Sequence, residues 1–220
     1  YLGLKKAPYR MECFDISHMQ GSETVASMVV FEGGVAKKSD YRRFKIRSAE
    51  GKPDDFKSMR EVTTRRYGAP DAEMPDLIVI DGGKGQLSSA LEIIRGAGHL
   101  LVPVVGLAKR EEEVFREGES EPVILPRDSQ ALFLIQRIRD EAHRFAITYH
   151  RRLRGKRNMV SVLDHIEGIG PKRRQLLYEH YGELEKIKEA SVEEMAGLDG
   201  MNRPAAEAVY NFFLAQRNLR

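Results

Sequence analysis

Two aspartates stand inside apolar, strand-like sequence. Asp15 lies in the middle of Cys13-Phe14-Asp15-Ile16-Ser17, and Asp81 closes the run Leu77-Ile78-Val79-Ile80 directly before Gly82-Gly83. Desolvating a carboxylate in such a run is unfavourable unless a cation or hydrogen-bond donors compensate it. A lone aspartate at a strand end is commonly a turn or cap residue, so the weight rests on the pair. Two acids at neighbouring strand ends form the donor set of a hard divalent cation, Mg²⁺ or Mn²⁺, which takes oxygen ligands. One or two such ions can activate a water and neutralise charge on a phosphodiester, the chemistry of a metal-dependent nuclease. His143, in Arg139-Asp140-Glu141-Ala142-His143, is the third candidate for that site. An imidazole can ligate a metal or handle a proton near neutral pH; both roles stay open, as do Asp140 and Glu141 in its place.

Candidate phosphate-binding residues accompany the acids. Gly82-Gly83-Lys84-Gly85-Gln86 is glycine-rich but lacks the spacing of a nucleotide-binding P-loop, which argues against ATP. It reads instead as a close backbone approach to a phosphodiester, with Lys84 as a point charge and Lys109 as a second contact. Farther on, residues 165–182 align with residues 197–214 at an offset of 32, setting Gly168 against Gly200. Gly168 and Gly170 permit positive φ and expose backbone N–H groups at the start of a helix. Lys172, Arg173 and Arg174 then fall in that helix's first turn, where the dipole alone disfavours cations and an anionic ligand would favour them. This pattern resembles the helix-hairpin-helix, and two in tandem resemble a domain that holds DNA by its phosphates without reading sequence. Gly200 and Arg203 are the candidates of the second copy. That copy departs from the pattern, with Gly200-Met201-Asn202 for the first Gly-Ile-Gly and Pro204-Ala205 where basic residues stand in the first.

Elements must bring these residues together. Residues 11–46 read as three strands, with turns at Gln20-Gly21 and Gly33-Gly34, an antiparallel meander. Asp54-Asp55 opens a helix with Phe56, Met59, Val62 and Thr63 on one face, stopped by Gly68 and Pro70. Leu77–Ile80, a helix, and Pro103–Ala108 then form a βαβ unit with a parallel pair. The acidic stretch 109–126 reads as a solvated surface hairpin or loop with nothing to bury. A long helix follows from about Ser129 to Arg152, with Leu132, Ile135, Ile138, Ala142, Phe145 and Tyr149 on its apolar face. The expected organisation is an α/β domain over 1–152 with a mixed sheet flanked by helices, a basic linker over 153–158, and a small all-α domain over 159–220.

The 220 residues are 41% apolar and 31% charged, which excludes a disordered or fibrous chain. One cysteine, Cys13, excludes an intramolecular disulfide framework and any multi-cysteine zinc site, so a cytoplasmic, reducing home is expected. No apolar run reaches a membrane span, and the start at Tyr1 without Met reads as a fragment. The net charge of +3 hides unlike segments: residues 144–157 carry six Lys and Arg and no acid.

Phe-Asp-Ile-Ser-His around Asp15, Ile-Asp-Gly-Gly-Lys-Gly-Gln around Asp81, Val-Val-Gly-Leu-Ala-Lys at 104–109 and Arg-Asp-Glu-Ala-His-Arg-Phe around His143, followed by the tandem hairpins, resemble the C-terminal half of the UvrC family. The resemblance covers nearly the whole chain. It implies an RNase H-like fold, a catalytic Asp15, Asp81 and His143, and incision of damaged double-stranded DNA 5′ to the lesion in bacterial nucleotide excision repair. It also implies action on a UvrB–DNA pre-incision complex, although the family's UvrB-binding segment and its second nuclease domain have no counterpart here. The alternatives are a non-catalytic DNA-binding adaptor and another RNase H-like nuclease with an Asp-Asp-His site.

Overall fold

The computed structural model describes residues 2–18, 24–48, 54–108 and 113–217, the side chains of Lys156 and Arg157 excepted. The chain divides into two compact units, Tyr1–Thr148 and Tyr149–Arg220.

The first unit is a mixed sheet with helices on both faces. Strands β1 (Arg10–His18) and β2 (Thr24–Glu32) pair antiparallel, and β2 carries both β3 (Val35–Ala36) and β4 (Arg42–Lys45). Strand β5 (Leu77–Asp81) lies parallel to β1, β6 (Val104–Leu107) parallel to β5, and β7 (Val114–Arg116) antiparallel to β6. The β2–β3 turn is Gly33-Gly34 with φ of 55° and 78°, the left-handed pair that a two-residue hairpin turn demands. The turn expected at Gln20-Gly21 lies outside the described residues.

Alternation along β1 and β5 sorts the core. Phe14, Ile78 and Ile80 pack on α1 (Asp55–Tyr67) and α2 (Lys84–Gly96), whereas Met11, Cys13, Leu77 and Val79 pack beneath α3 (Gln130–Leu163) through Leu132, Ile135, Ile138 and Ala142. Helix α1 starts where Asp54 accepts a hydrogen bond from Lys57 N at 3.0 Å, the expected cap. Its buried face is Ser58, Met59, Val62, Thr63 and Tyr67, while Phe56 is 49% exposed. Phe56 lies over α2 instead, where a Cβ at Gly85 would collide with its ring.

Two further expectations change. The acidic stretch is not wholly solvated: Val114 and Phe115 are buried as β7 extends the sheet, and Leu125 is buried behind them. A β-branched and an aromatic residue supplied enough apolar surface, while Arg95 holds the Glu117 carboxyl below its usual range. Residues 153–158 are helical, since α3 runs on to Leu163. Arginine, leucine and lysine favour helix there and outweigh the single Gly155.

In the second unit the end of α3 is followed by α4 (Pro171–Tyr181), α5 (Leu184–Glu189), α6 (Val192–Ala196) and α7 (Arg203–Arg217). Met159, Leu163, Leu177, Met195, Val209 and Phe213 form its buried centre. The repeat partners Leu177 and Val209 are both fully buried, so each copy contributes the same position to one core. Among the described residues, no helix is long and apolar enough to cross a membrane.

Candidate functional site

The β1–β5 register pairs Met11 with Leu77 and Cys13 with Val79. Carried two residues farther on the same face, it sets Asp15 beside Asp81. Helix α3 covers that face and brings His143 to them. One ligand atom from each of Asp15, Asp81 and His143 lies within 4.8 Å of the others, and His143 Nδ1 is 3.5 Å from Asp15 Oδ2. The aspartates are 2% and 7% exposed, whereas the His143 side chain is 55% exposed. Two buried carboxylates and one accessible imidazole converging at this range suit a divalent cation of the Mg²⁺ or Mn²⁺ kind. Burial pushes the Cys13 thiol up, and Asp81 and Asp15 add to that effect, so the thiol next to the acids stays neutral.

The alternatives to His143 are engaged elsewhere. Asp140 pairs with Arg139 at 2.8 Å. Glu141 pairs with Arg144 at 2.6 Å, which holds its carboxyl below the usual range, and accepts the Tyr41 hydroxyl at 2.9 Å. Tyr41 also packs edge-on against Phe145 at 5.1 Å, and the Arg43 guanidinium lies 3.7 Å from the Phe145 ring centroid. Residues 141 and 145 of α3 are thus clasped from β4 and its approach, which fixes the turn that carries His143.

A second acid in β1 was missed by sequence reasoning. Glu12 is fully buried on the opposite face from Asp15. Arg66 donates to it twice, at 3.0 and 2.8 Å, Arg10 at 3.2 and 3.0 Å, and Tyr67 at 2.5 Å. Burial and the Glu12 carboxylate push the Tyr67 phenol well up, so it remains a donor. Alternation alone could have separated the two acids, because Glu12 shares its face with Phe14 and Ile16.

Sterics account for two of the loop's three glycines. Gly83 is the N-cap of α2 with open space around it, whereas a Cβ at Gly82 would meet the Gln86 side chain at 2.9 Å. A Cβ at Gly85 would run into the Phe56 ring, so packing by itself requires a glycine there. Lys84 is exposed, with Nζ donating to the Ser120 carbonyl and sitting 5.2 Å from the Phe115 ring. Lys109 lies outside the described residues. Next to Asp81 is a cavity of about 260 Å³, also lined by Ile16, Asp55, Gly82, Gly83, Gln86 and Ala108. Asp55 Oδ1 lies 2.5 Å from Nε2 of His18, the histidine of the Phe-Asp-Ile-Ser-His run.

The two hairpins of the second unit repeat at the level of single bonds. Gly168 and Gly200 have φ of 77° and 98°. Ile169 N donates to Ile166 O at 3.1 Å, and Met201 N to Leu198 O at 2.9 Å. The helix starts differ: Gly170 offers α4 no side-chain cap, while Asn202 Oδ1 accepts from Ala205 N at 3.0 Å and occupies a donor of α7. Of the first-turn cations, Lys172 is exposed, and its side chain makes no hydrogen bond or ion pair with the described residues. Arg174 pairs with Asp164, and Arg173 donates to Gly168 O at 2.7 Å and Gly200 O at 3.3 Å. Arg203 pairs with Glu207 at 3.0 Å and Glu193 at 3.4 Å.

Comparison with known proteins follows the same division. Residues 1–147 match the model of the UvrC RNAse H endonuclease domain, and residues 160–213 that of the SAM-like Helix-hairpin-helix tandem. The chain is 46% identical to the UvrABC system protein C of Desulforudis audaxviator, over 96% of its own length and 38% of the relative's. For the same protein of Chlorobaculum tepidum the identity is 49%, over 97% and 34%. The chain therefore spans little more than a third of the length of these curated relatives.

Proposed function

The chain belongs to the UvrC family, and from that premise we propose that it is a divalent-metal-dependent DNA endonuclease of nucleotide excision repair, making the incision 5′ to a lesion. The observation that carries this reading is the convergence of Asp15, Asp81 and His143 within 4.8 Å, two of them buried. Asp15 and Asp81 would hold Mg²⁺ or Mn²⁺, with His143 as a third ligand or as the group that moves a proton. When bound, the ion neutralises charge on the scissile phosphate and activates water. The chain's own contribution is geometric: two strands fix the carboxylates with little rotamer freedom, and the Tyr41–Glu141 and Arg43–Phe145 contacts hold the turn that bears the imidazole. The exposed His143 marks the side from which a phosphodiester can approach. Lys172 and the uncapped start of α4 would grip a DNA phosphate, and damaged duplex on a UvrB–DNA complex is the substrate that family membership favours.

The test is nicking of bubbled or lesion-bearing duplex in Mg²⁺ or Mn²⁺. Asp15→Asn and Asp81→Asn should each abolish it while leaving DNA affinity within about twofold, because neither residue belongs to the hairpins. Unchanged nicking in both variants overturns the site assignment. A DNA-binding adaptor with an inert first unit predicts no nicking by the wild-type chain with either metal.

A further inference from the structure

Arg173 occupies a position that its own repeat does not duplicate: the residue 32 places on is Ala205. Its guanidinium reaches the carbonyl of Gly168 at 2.7 Å and that of Gly200 at 3.3 Å. These are the positive-φ glycines of the two hairpins, equivalent residues of the repeat. Turn carbonyls at helix ends lack intrahelical partners, and a planar guanidinium is the side chain that can satisfy two of them at once. The second turn also leans on α4 here, since a Cβ at Gly200 would stand 3.5 Å from Leu176 Cδ2.

We propose that Arg173 is a positioning residue for DNA binding: it straps the two hairpin turns together and sets the spacing at which they meet the backbone of duplex DNA. This rests on the reading of the second unit as a DNA-binding module, and it divides the labour of the first-turn cations. Lys172 meets a phosphate. Arg173 spends its donors on the protein and keeps both turns preorganised, so the second contact follows the first at high effective concentration. The two roles differ in their dependence on charge. A phosphate contact needs a cation and contributes to the counterions released on binding; a strap needs the two-pronged donor and contributes none.

The experiment compares Arg173→Lys, Arg173→Ala and Lys172→Ala in the full chain, with duplex binding by fluorescence anisotropy over a salt series. Both Arg173 variants should weaken binding about tenfold with an unchanged salt slope, because lysine keeps the charge but cannot span both carbonyls. Lys172→Ala should lower the slope by about one unit. Without DNA, the amide resonances of Ile169 and Met201, which follow the two glycines, should both move in Arg173→Lys and stay in place in Lys172→Ala. Wild-type affinity in Arg173→Lys overturns the strap, and so does a slope reduced in Arg173→Ala alone. If the wild-type chain binds no duplex, the DNA-binding reading fails instead, and the resonances still decide whether the strap exists.

Discussion

Neutralising one acid of the candidate metal centre should make the metal-free protein more stable while destroying its activity. Asp15 and Asp81 present carboxylate oxygens no more than 4.8 Å apart, both nearly excluded from water. Two unit charges at that separation repel by about 3 kcal/mol at an effective dielectric of about 20. His143, 3.5 Å from Asp15, and other neighbours offset part of that. A net gain of about 1–2 kcal/mol is therefore expected for Asp15→Asn, which in a unit of this size is a rise in melting temperature of about 3–8 °C. Calorimetry in EDTA at neutral pH measures it. The gain should vanish in saturating Mn²⁺, since an ion that binds only the folded wild type adds about 2.7 kcal/mol at a hundred times its Kd. A melting temperature lowered by Asp15→Asn in EDTA, with that of the wild type unmoved by Mn²⁺, would rule out a repelling acid pair that an ion relieves.

Glu12 should behave in the opposite way. Glu12→Ala leaves Arg10, Arg66 and Tyr67 without their shared acceptor and should cost about 3–5 kcal/mol in urea denaturation, with Mn²⁺ affinity of the folded protein unchanged. Asp40 titrates with a definite sign. The Arg10 guanidinium holds its carboxyl down to about 2. A depressed carboxyl stabilises the fold above its ordinary value and loses that contribution as pH falls through the depressed one, so stability should decline between about pH 4 and pH 2. Asp40→Asn should remove that part of the decline, which a pH series of urea midpoints would reveal.

The sheet and its helices were legible because their signals are local. Alternation, the Asp54 cap and the Gly33-Gly34 turn each depend on a few neighbouring residues. The meeting of Asp15 and Asp81 was legible from acids placed in apolar runs, although Glu12, as deeply buried in the same strand, was not. Long-range partnerships were not legible in the same way. Nothing in the order of residues says that Phe56 will cover Gly85, that Val114-Phe115 will find the edge of β6 inside an acidic stretch, or that Arg173 will reach across to Gly200. Basic residues beside a helix start look alike as text, whether they meet a phosphate, as proposed for Lys172, or an acid of the same unit, as Arg174 meets Asp164.

Strand β1 shows how the same cost serves two ends. Glu12 and Asp15 sit three residues apart and therefore on opposite faces. The protein surrounds Glu12 with two guanidiniums and a phenol, a closed network whose value is structural because every added ligand would have to displace a partner. Asp15 meets another carboxylate and an imidazole that is half open to solvent, so like charges are brought together where a ligand can still enter. An acid in an apolar strand therefore identifies a structural or a reactive site by the sign of what surrounds it, not by its own burial. On this sheet the acid facing α1 is enclosed by its donors, whereas the two acids facing α3 share their site with an exposed histidine, the opening through which an ion could be admitted.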